Sequence, residues 1–322
     1  MGRIGEITPL GRGIAAQKTW SLILGSALLL LAGPAVTGDW VLDGELRVSE
    51  GGTWSSFLAA DRRLGDGAYI FGEYGETRID SEDLELDTRS VTLGGGFAPT
   101  ETLRLGGWYT RWGRSGDITS DSLGGRVSWR GEPFRLSLLP GFRATTLHAG
   151  APARDEDDGN GPPGGTPGPG GPGTEPGDDG PEVAEDFDLL AASLGLRGGL
   201  EWREYWHLTG SATFYSYDED PAFLGSREGF EQLSTSGLTL AQGFPEHRYG
   251  LGVRRELEGW REVGLNLSRD RSAVDGMVAE TARLHFLTPL GDAWDLRIEA
   301  GRTRTGDFPA SSFAGLTLSW YQ

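Results

Sequence analysis

Cysteine is absent from this 322-residue chain, which removes disulfides and thiolate metal sites from consideration and excludes an acylated N-terminal cysteine of the lipoprotein kind. Lysine is nearly absent too. Lys18 is the only one, so beyond it every fixed positive side chain is an arginine; genomic base composition is the plainest account of that bias. Positive charge is scarce overall, with a net charge of −18. A chain this acidic is a poor nucleic-acid binder, because phosphate contacts need a basic face. Of the four histidines, His148, His207, His247 and His285, none stands in an H-E-x-x-H pair, and no G-x-S-x-G elbow occurs. No cofactor and no enzymatic activity are expected. Long apolar runs are missing after residue 38, and mean hydropathy is −0.35. That counts against a helical membrane protein, but not against a membrane barrel, where only alternate residues face lipid.

What is present begins with a targeting segment. Arg3, Arg12 and Lys18 lead into the apolar run WSLILGSALLLLAGPA, Trp20 to Ala35. The run is short for a spanning helix, which needs about 20 residues, and small residues follow it. A cleaved secretory signal peptide over 1–38 is the expectation. Its removal takes three basic residues and Glu6, leaving the rest two units more acidic than the whole.

Beyond it, segments of about ten residues alternate in polarity. WDLRIEAGR sets Trp294, Leu296, Ile298 and Ala300 against Asp295, Arg297 and Glu299. TLRLGGWYT opposes Leu103, Leu105 and Tyr109 to Arg104 and Gly106, and TARLHFL opposes Leu284 and Phe286 to Arg283 and His285. REVGLNLS and WVLDGELRV repeat the pattern. Short connections (98–101, 131–133, 201–204, 258–260, 289–293) alternate with longer polar ones at 79–87, 113–120, 147–186, 217–232, 270–276 and 305–311. Tryptophans gather near segment ends: Trp40, Trp108, Trp112, Trp129, Trp202, Trp206, Trp260, Trp294 and Trp320. They read as two interfacial girdles, each indole half in lipid and half wet. The segment STSGLTLAQGF, 234–244, breaks the up-down parity, and is assigned to an extracellular excursion. That leaves about fourteen strands, within a range of about twelve to sixteen.

Residues 151–182 are glycine, proline and carboxylates with almost no apolar surface, too little to offset the entropy of ordering. A disordered extracellular loop over 149–186 is expected within a single barrel domain at 39–322; a linker between two smaller β domains is the alternative. Asp155, Asp157 and Asp158 are weak divalent-cation candidates, but Gly159 occupies the third ligand position of a calcium loop. A solvated charge run is the plainer reading.

Taken together, the chain resembles bacterial outer-membrane β-barrel proteins as a class. The resemblance implies an all-β, transmembrane, antiparallel up-and-down barrel in the outer membrane, in contact with lipid and lipopolysaccharide. It also implies an alternating terminal strand read by the barrel-assembly machinery. Leu316, Leu318 and Trp320 supply that signal, although Tyr321 and Gln322 follow. Opposite the apolar faces stand Arg104, Arg126, Arg135, Arg197, Arg254, Arg283, His285, Asp295, Arg297 and Glu299, the candidates to line a watery lumen. A porin-like passive channel for small hydrophilic solutes follows; a non-conducting surface barrel acting through its loops is the alternative.

Overall fold

The computed structural model describes residues 39–50, 52–65, 67–81, 84–114, 118–148, 186–222 and 244–322. The expected signal peptide, nearly all of the acidic loop with Asp155, Asp157 and Asp158, and the excursion up to residue 243 lie outside the described residues.

Fourteen strands form the fold: β1 (Trp40–Ser49), β2 (Trp54–Arg63), β3 (Tyr69–Ser81), β4 (Leu84–Phe97), β5 (Leu103–Arg114), β6 (Ile118–Gly131), β7 (Phe134–His148), β8 (Asp186–Trp202), β9 (Trp206–Tyr217), β10 (Pro245–Leu257), β11 (Arg261–Ser272), β12 (Val278–Pro289), β13 (Trp294–Thr305) and β14 (Ser311–Tyr321). Each pairs antiparallel with its sequence neighbours, and β14 returns to β1 to close the barrel. Closure leaves no strand edge unpaired. At about 4.8 Å per strand and a tilt near 40°, fourteen strands enclose a backbone cylinder roughly 28 Å across.

The register sorts the side chains into two sets. Leu46 pairs with Leu316 and Leu42 with Trp320 at the closing seam, Leu284 lies between Leu265 and Ala300, and Leu123 pairs with Tyr109 and Phe142. These apolar sets point outward and remain exposed: Leu251 at 66%, Leu123 at 62% and Leu284 at 59%. The intervening positions point inward and are mostly polar. The sheet is therefore greasy outside and charged inside, the reverse of a soluble protein.

Several strands are longer than the about 9–11 residues that cross hydrocarbon, reaching 17 in β8. Much of 79–87 and 113–120, expected as loops, is strand: β3 runs to Ser81 and β4 starts at Leu84, while β5 reaches Arg114 and β6 starts at Ile118. The cause is visible on the outer face. Above Val91, Tyr109, Leu267 and Ala300, the next outward residues are Arg89, Arg111, Arg269 and Arg302. Where the apolar belt ends the ladder continues, but its outward positions turn charged, so the greasy outer face that marks a spanning strand is lost.

The opposite rim is closed by tight turns. Gly259 (φ 73°) and Trp260 (φ 62°) supply two left-handed residues to the three-residue connection 258–260. At the other rim, Glu50 accepts a hydrogen bond from the Ser312 backbone N–H at 2.9 Å. That bond holds its carboxyl below the usual carboxylate range and ties the β1–β2 turn to β14.

The tryptophan distribution departs from two matched girdles. Trp40, Trp129, Trp202, Trp206, Trp294 and Trp320 do point outward near the short-turn rim, with Trp294 and Trp320 6.4 Å apart. Trp108 and Trp112 instead share the phase of Arg104 on β5 and face inward. Toward the loop rim the outward aromatics are chiefly Tyr74, Tyr109, Phe142, Phe214 and Tyr249.

Candidate functional site: the charged lumen

Among the described residues, charge, burial and shape converge on the inner wall. Arg135, Arg197, Arg254, Arg283, His285 and Arg297 line one cavity of about 550 Å³, together with His207, Glu262 and Asn266. Arg104 and Arg126 stand on the adjoining wall, on β5 and β6, and Asp295 accepts a hydrogen bond from the Tyr321 hydroxyl at 3.0 Å. Glu299, with its side chain 3% exposed, sits between Arg47 at 2.7 Å and Arg283 at 3.4 Å. All ten positions picked out in the sequence share the inward phase of the register.

Beside this cavity the charges form a compact network. Glu262 receives Arg254 at 2.9 Å and faces His285 Nε2 at 2.9 Å, and the other histidine nitrogen lies 3.3 Å from Asn266 Nδ2. His285 is buried flat against β11 because Gly264 leaves room; a Cβ there would fall 2.2 Å from the ring. The same device seats Trp108 over Gly124, where a Cβ would lie 2.2 Å from the indole, and Arg126 stacks on that ring at 5.8 Å. Satisfied ion pairs of this kind fix side-chain positions more than they add stability. His207 and Glu256 meet at 2.8 Å, and Arg135 pairs with Glu201.

The wall is asymmetric around the barrel. On β1–β3, Asp43 and Glu73 both pair with Ala59, and Asp61 is two residues along the same strand. None of these three carboxylates has an ion-pair partner among the described residues. On β5–β8 the described inward side chains instead include Arg104, Arg126, Arg130, Arg135, Arg143 and Arg197, against Glu201 alone. Carboxylates and guanidiniums on separate walls set a field across the passage.

Nearer the loop rim the inside becomes apolar. Phe244, 1% exposed, and Val274 pack inside the barrel against Ile118, Leu147 and Leu189, with Trp112, Phe187 and Tyr217 around them. Tyr217 donates to the Pro245 carbonyl at 2.8 Å, and the Ala273 N–H to the Phe244 carbonyl at 2.8 Å. Phe244 directly precedes β10, and Val274 lies in the connection between β11 and β12. Beside it runs a cavity of about 420 Å³ lined by hydroxyls, including Thr92 and Thr110 at 2.9 Å from each other.

Sequence reading missed Arg130, Asp61, Glu73 and Arg143. Arg130 was within reach, four residues past Arg126 and therefore in phase with it, but it stood next to an expected turn. No group of three or more histidine and carboxylate side chains among the described residues is arranged to hold a metal ion.

Antiparallel barrels with an even strand count, both described ends at the short-turn rim and an apolar belt are the spanning form of the bacterial outer membrane. This chain is one. No family model matches the chain, and no curated protein does. Similar solved structures include a bacterial polysaccharide outer membrane secretin (10% identity, TM-score 0.49, covering 88% of this chain and 97% of that one). The KdgM porin (7%, 0.43, 87% and 98%) and the OmpT outer membrane protein of Vibrio cholerae with loop L8 deleted (7%, 0.42, 88% and 98%) are others. Membrane placement rests on the barrel's own surface.

Proposed function

We propose that the chain forms a porin-like passive channel for small hydrophilic solutes. The carrying observation is that Arg104, Arg126, Arg130 and Arg197 face inward, meet no carboxylate among the described residues and yet remain exposed. A plugged barrel would bury or pair them, since a desolvated guanidinium without an anion is costly. Single-channel recording in a planar bilayer tests this: steady open currents in potassium chloride are expected. No current from protein whose folding is verified by a heat-dependent gel shift would reject the channel.

One observation favours the second reading, a non-conducting surface barrel. The Phe244–Val274 cluster fills part of the lumen near the loop rim. On that reading the clustered side chains are a permanent closure and removing Phe244 is needed before current flows.

For partners, an outward groove of about 770 Å³ has Leu251, Leu267 and Ala282 toward the belt and Arg269, Arg302 and Arg304 toward the loop rim. Acyl chains below and phosphates above suit an outer-leaflet lipopolysaccharide. Leu316, Leu318 and Trp320 on the outward face of β14 are the proposed signal for the assembly machinery.

A further inference from the structure

Arginines on the β5–β8 wall occupy an arrangement that the fold alone does not favour. In the register, Arg104 pairs with Ser128, Ser128 with Ser137, and Ser137 with Arg197. The two serine hydroxyls are bonded to each other at 2.8 Å. Arg126 and Arg130 flank Ser128 along β6, and Arg135 lies two residues from Ser137 on β7. Arg130 and Arg135 are directly opposed across the strands. Like charges in direct cross-strand register repel, and only Arg135 has a carboxylate, Glu201. Arg104, Arg130 and Arg197 have no ion-pair partner among the described residues, and Arg126 has only the Trp108 ring.

Small neighbours keep this patch open. Arg126 has Gly106 beside it on β5, and Arg135 has Gly199 beside it on β8. A span of three strand spacings, roughly 14 Å, separates the backbones of Arg104 and Arg197, and four residues, roughly 13 Å, separate Arg126 from Arg130. Five flexible side chains anchored on such a square reach one small solute from several sides. A single chloride would satisfy one or two of them. A solute with several negative groups satisfies most, and each planar guanidinium matches a carboxylate or phosphate in a two-bond fork.

We propose that this guanidinium pad is a binding site in the lumen for solutes bearing two or more carboxylates or phosphates. It rests on the channel reading only for the route by which such solutes pass. The surrounding chain sharpens the inference. A protein of net charge −18 has no general reason to gather five arginines on four adjacent strands with one carboxylate, Glu201, among them. Elsewhere on the inner wall Glu299 meets Arg47 and Arg283, Glu262 meets Arg254, and Glu256 meets His207.

The test is calorimetric titration of the detergent-folded protein with potassium citrate, potassium tripolyphosphate and potassium acetate at matched ionic strength. Citrate or tripolyphosphate is expected to bind at least tenfold tighter than acetate, and the tighter of the two names the group recognised. The Arg130→Gln/Arg197→Gln double variant, with folding checked by the heat-dependent gel shift, is expected to lose at least tenfold. Arg89→Gln, on the outward face of β4, is expected to lose less than threefold. Affinity equal to that of acetate, or an unchanged double variant, overturns the pad. If the double variant does not fold, Arg104→Gln carries the same expectation with a threefold or greater loss. Bilayer conductance is read separately, so a binding barrel without current rejects the channel and keeps the pad, while current without binding does the reverse.

Discussion

Replacing Leu284 by arginine puts the lipid-facing belt to a direct test. Leu284 lies outward at the middle of β12, flanked in register by Leu265 and Ala300, with 59% of its surface exposed. Full transfer of a leucine from water to hydrocarbon is worth about 1.5–3 kcal/mol, so the exposed fraction contributes about 1–2 kcal/mol if it touches lipid. An arginine at the bilayer midplane adds a penalty of about 2–4 kcal/mol. The sum, about 3–6 kcal/mol, is a large part of a typical domain's stability. Equilibrium urea unfolding in phosphatidylcholine vesicles, followed by tryptophan emission, measures it. Val278 faces the same way, beyond the charged Glu280 on that strand. Arginine there is expected to cost less than about 1 kcal/mol, because the penalty falls off toward the interface. A soluble barrel would give under about 0.5 kcal/mol at both positions, the usual effect of an exposed surface change. That flat profile, or full solubility without detergent, would refute the membrane assignment and the channel with it.

Phe244→Ala is expected to destabilise by about 3 kcal/mol, as large-to-small changes at fully buried aromatics do, and to raise single-channel conductance; a stable variant with unchanged current would show that the cluster does not narrow the passage. Glu299→Gln leaves Arg47 and Arg283 without their shared anion, but both are about a third exposed, so a cost of about 1–3 kcal/mol in urea unfolding is expected rather than the full buried-charge penalty. Reversing Arg104 and Arg297 to glutamate is expected to move the reversal potential in a salt gradient toward cation selectivity, and no movement in a conducting protein would remove them from the ion path. Deleting residues 152–184 is expected to leave folding and membrane insertion intact, read by the gel shift and by flotation with vesicles.

How much of this was legible depended on whether lipid touched the strand. β13 could be read outright, because Trp294, Leu296, Ile298 and Ala300 face hydrocarbon and Asp295, Arg297 and Glu299 face the lumen, so the two environments imprint two alternating compositions. RIDSEDLELDTR is so dense in charge that it reads as a loop, although the hydrogen-bonded ladder of β3 and β4 continues through it. Trp108 was misplaced for a different reason. An aromatic residue near a strand end suits a girdle by type, while its phase relative to Arg104 puts it inside, and phase is the physical determinant. The candidate site was legible as a set of inward charges, not as a geometry. That Glu299 meets Arg47 across the closing seam, 252 residues away, follows from barrel closure. The opposition of Arg130 to Arg135 follows from the length of one turn. Neither is written in local composition.

The near-exclusive use of arginine acquires consequences in this setting, whatever its origin in base composition. At the short-turn rim, Arg62 lies over Trp40 at 5.2 Å, Arg255 over Trp206 at 5.4 Å and Arg203 over Trp202 at 5.1 Å. A weakly hydrated planar cation can lie against an indole there and still reach water, which a compact ammonium does less well. Inside, the same planarity lets Arg47 address Glu45 and Glu299 together. On the β5–β8 wall, Arg104, Arg130 and Arg197 meet no carboxylate among the described residues, and their unused hydrogen-bonding capacity faces the passage. Lysines in those positions would supply the same charge and steer the same ions. They would not offer paired N–H donors at fixed geometry, so substituting lysine for Arg104, Arg130 and Arg197 should preserve ion selectivity while weakening citrate binding. Charge steering and fork-like recognition would then separate, and the difference between them is what distinguishes a merely anion-selective pore from one that holds its solute.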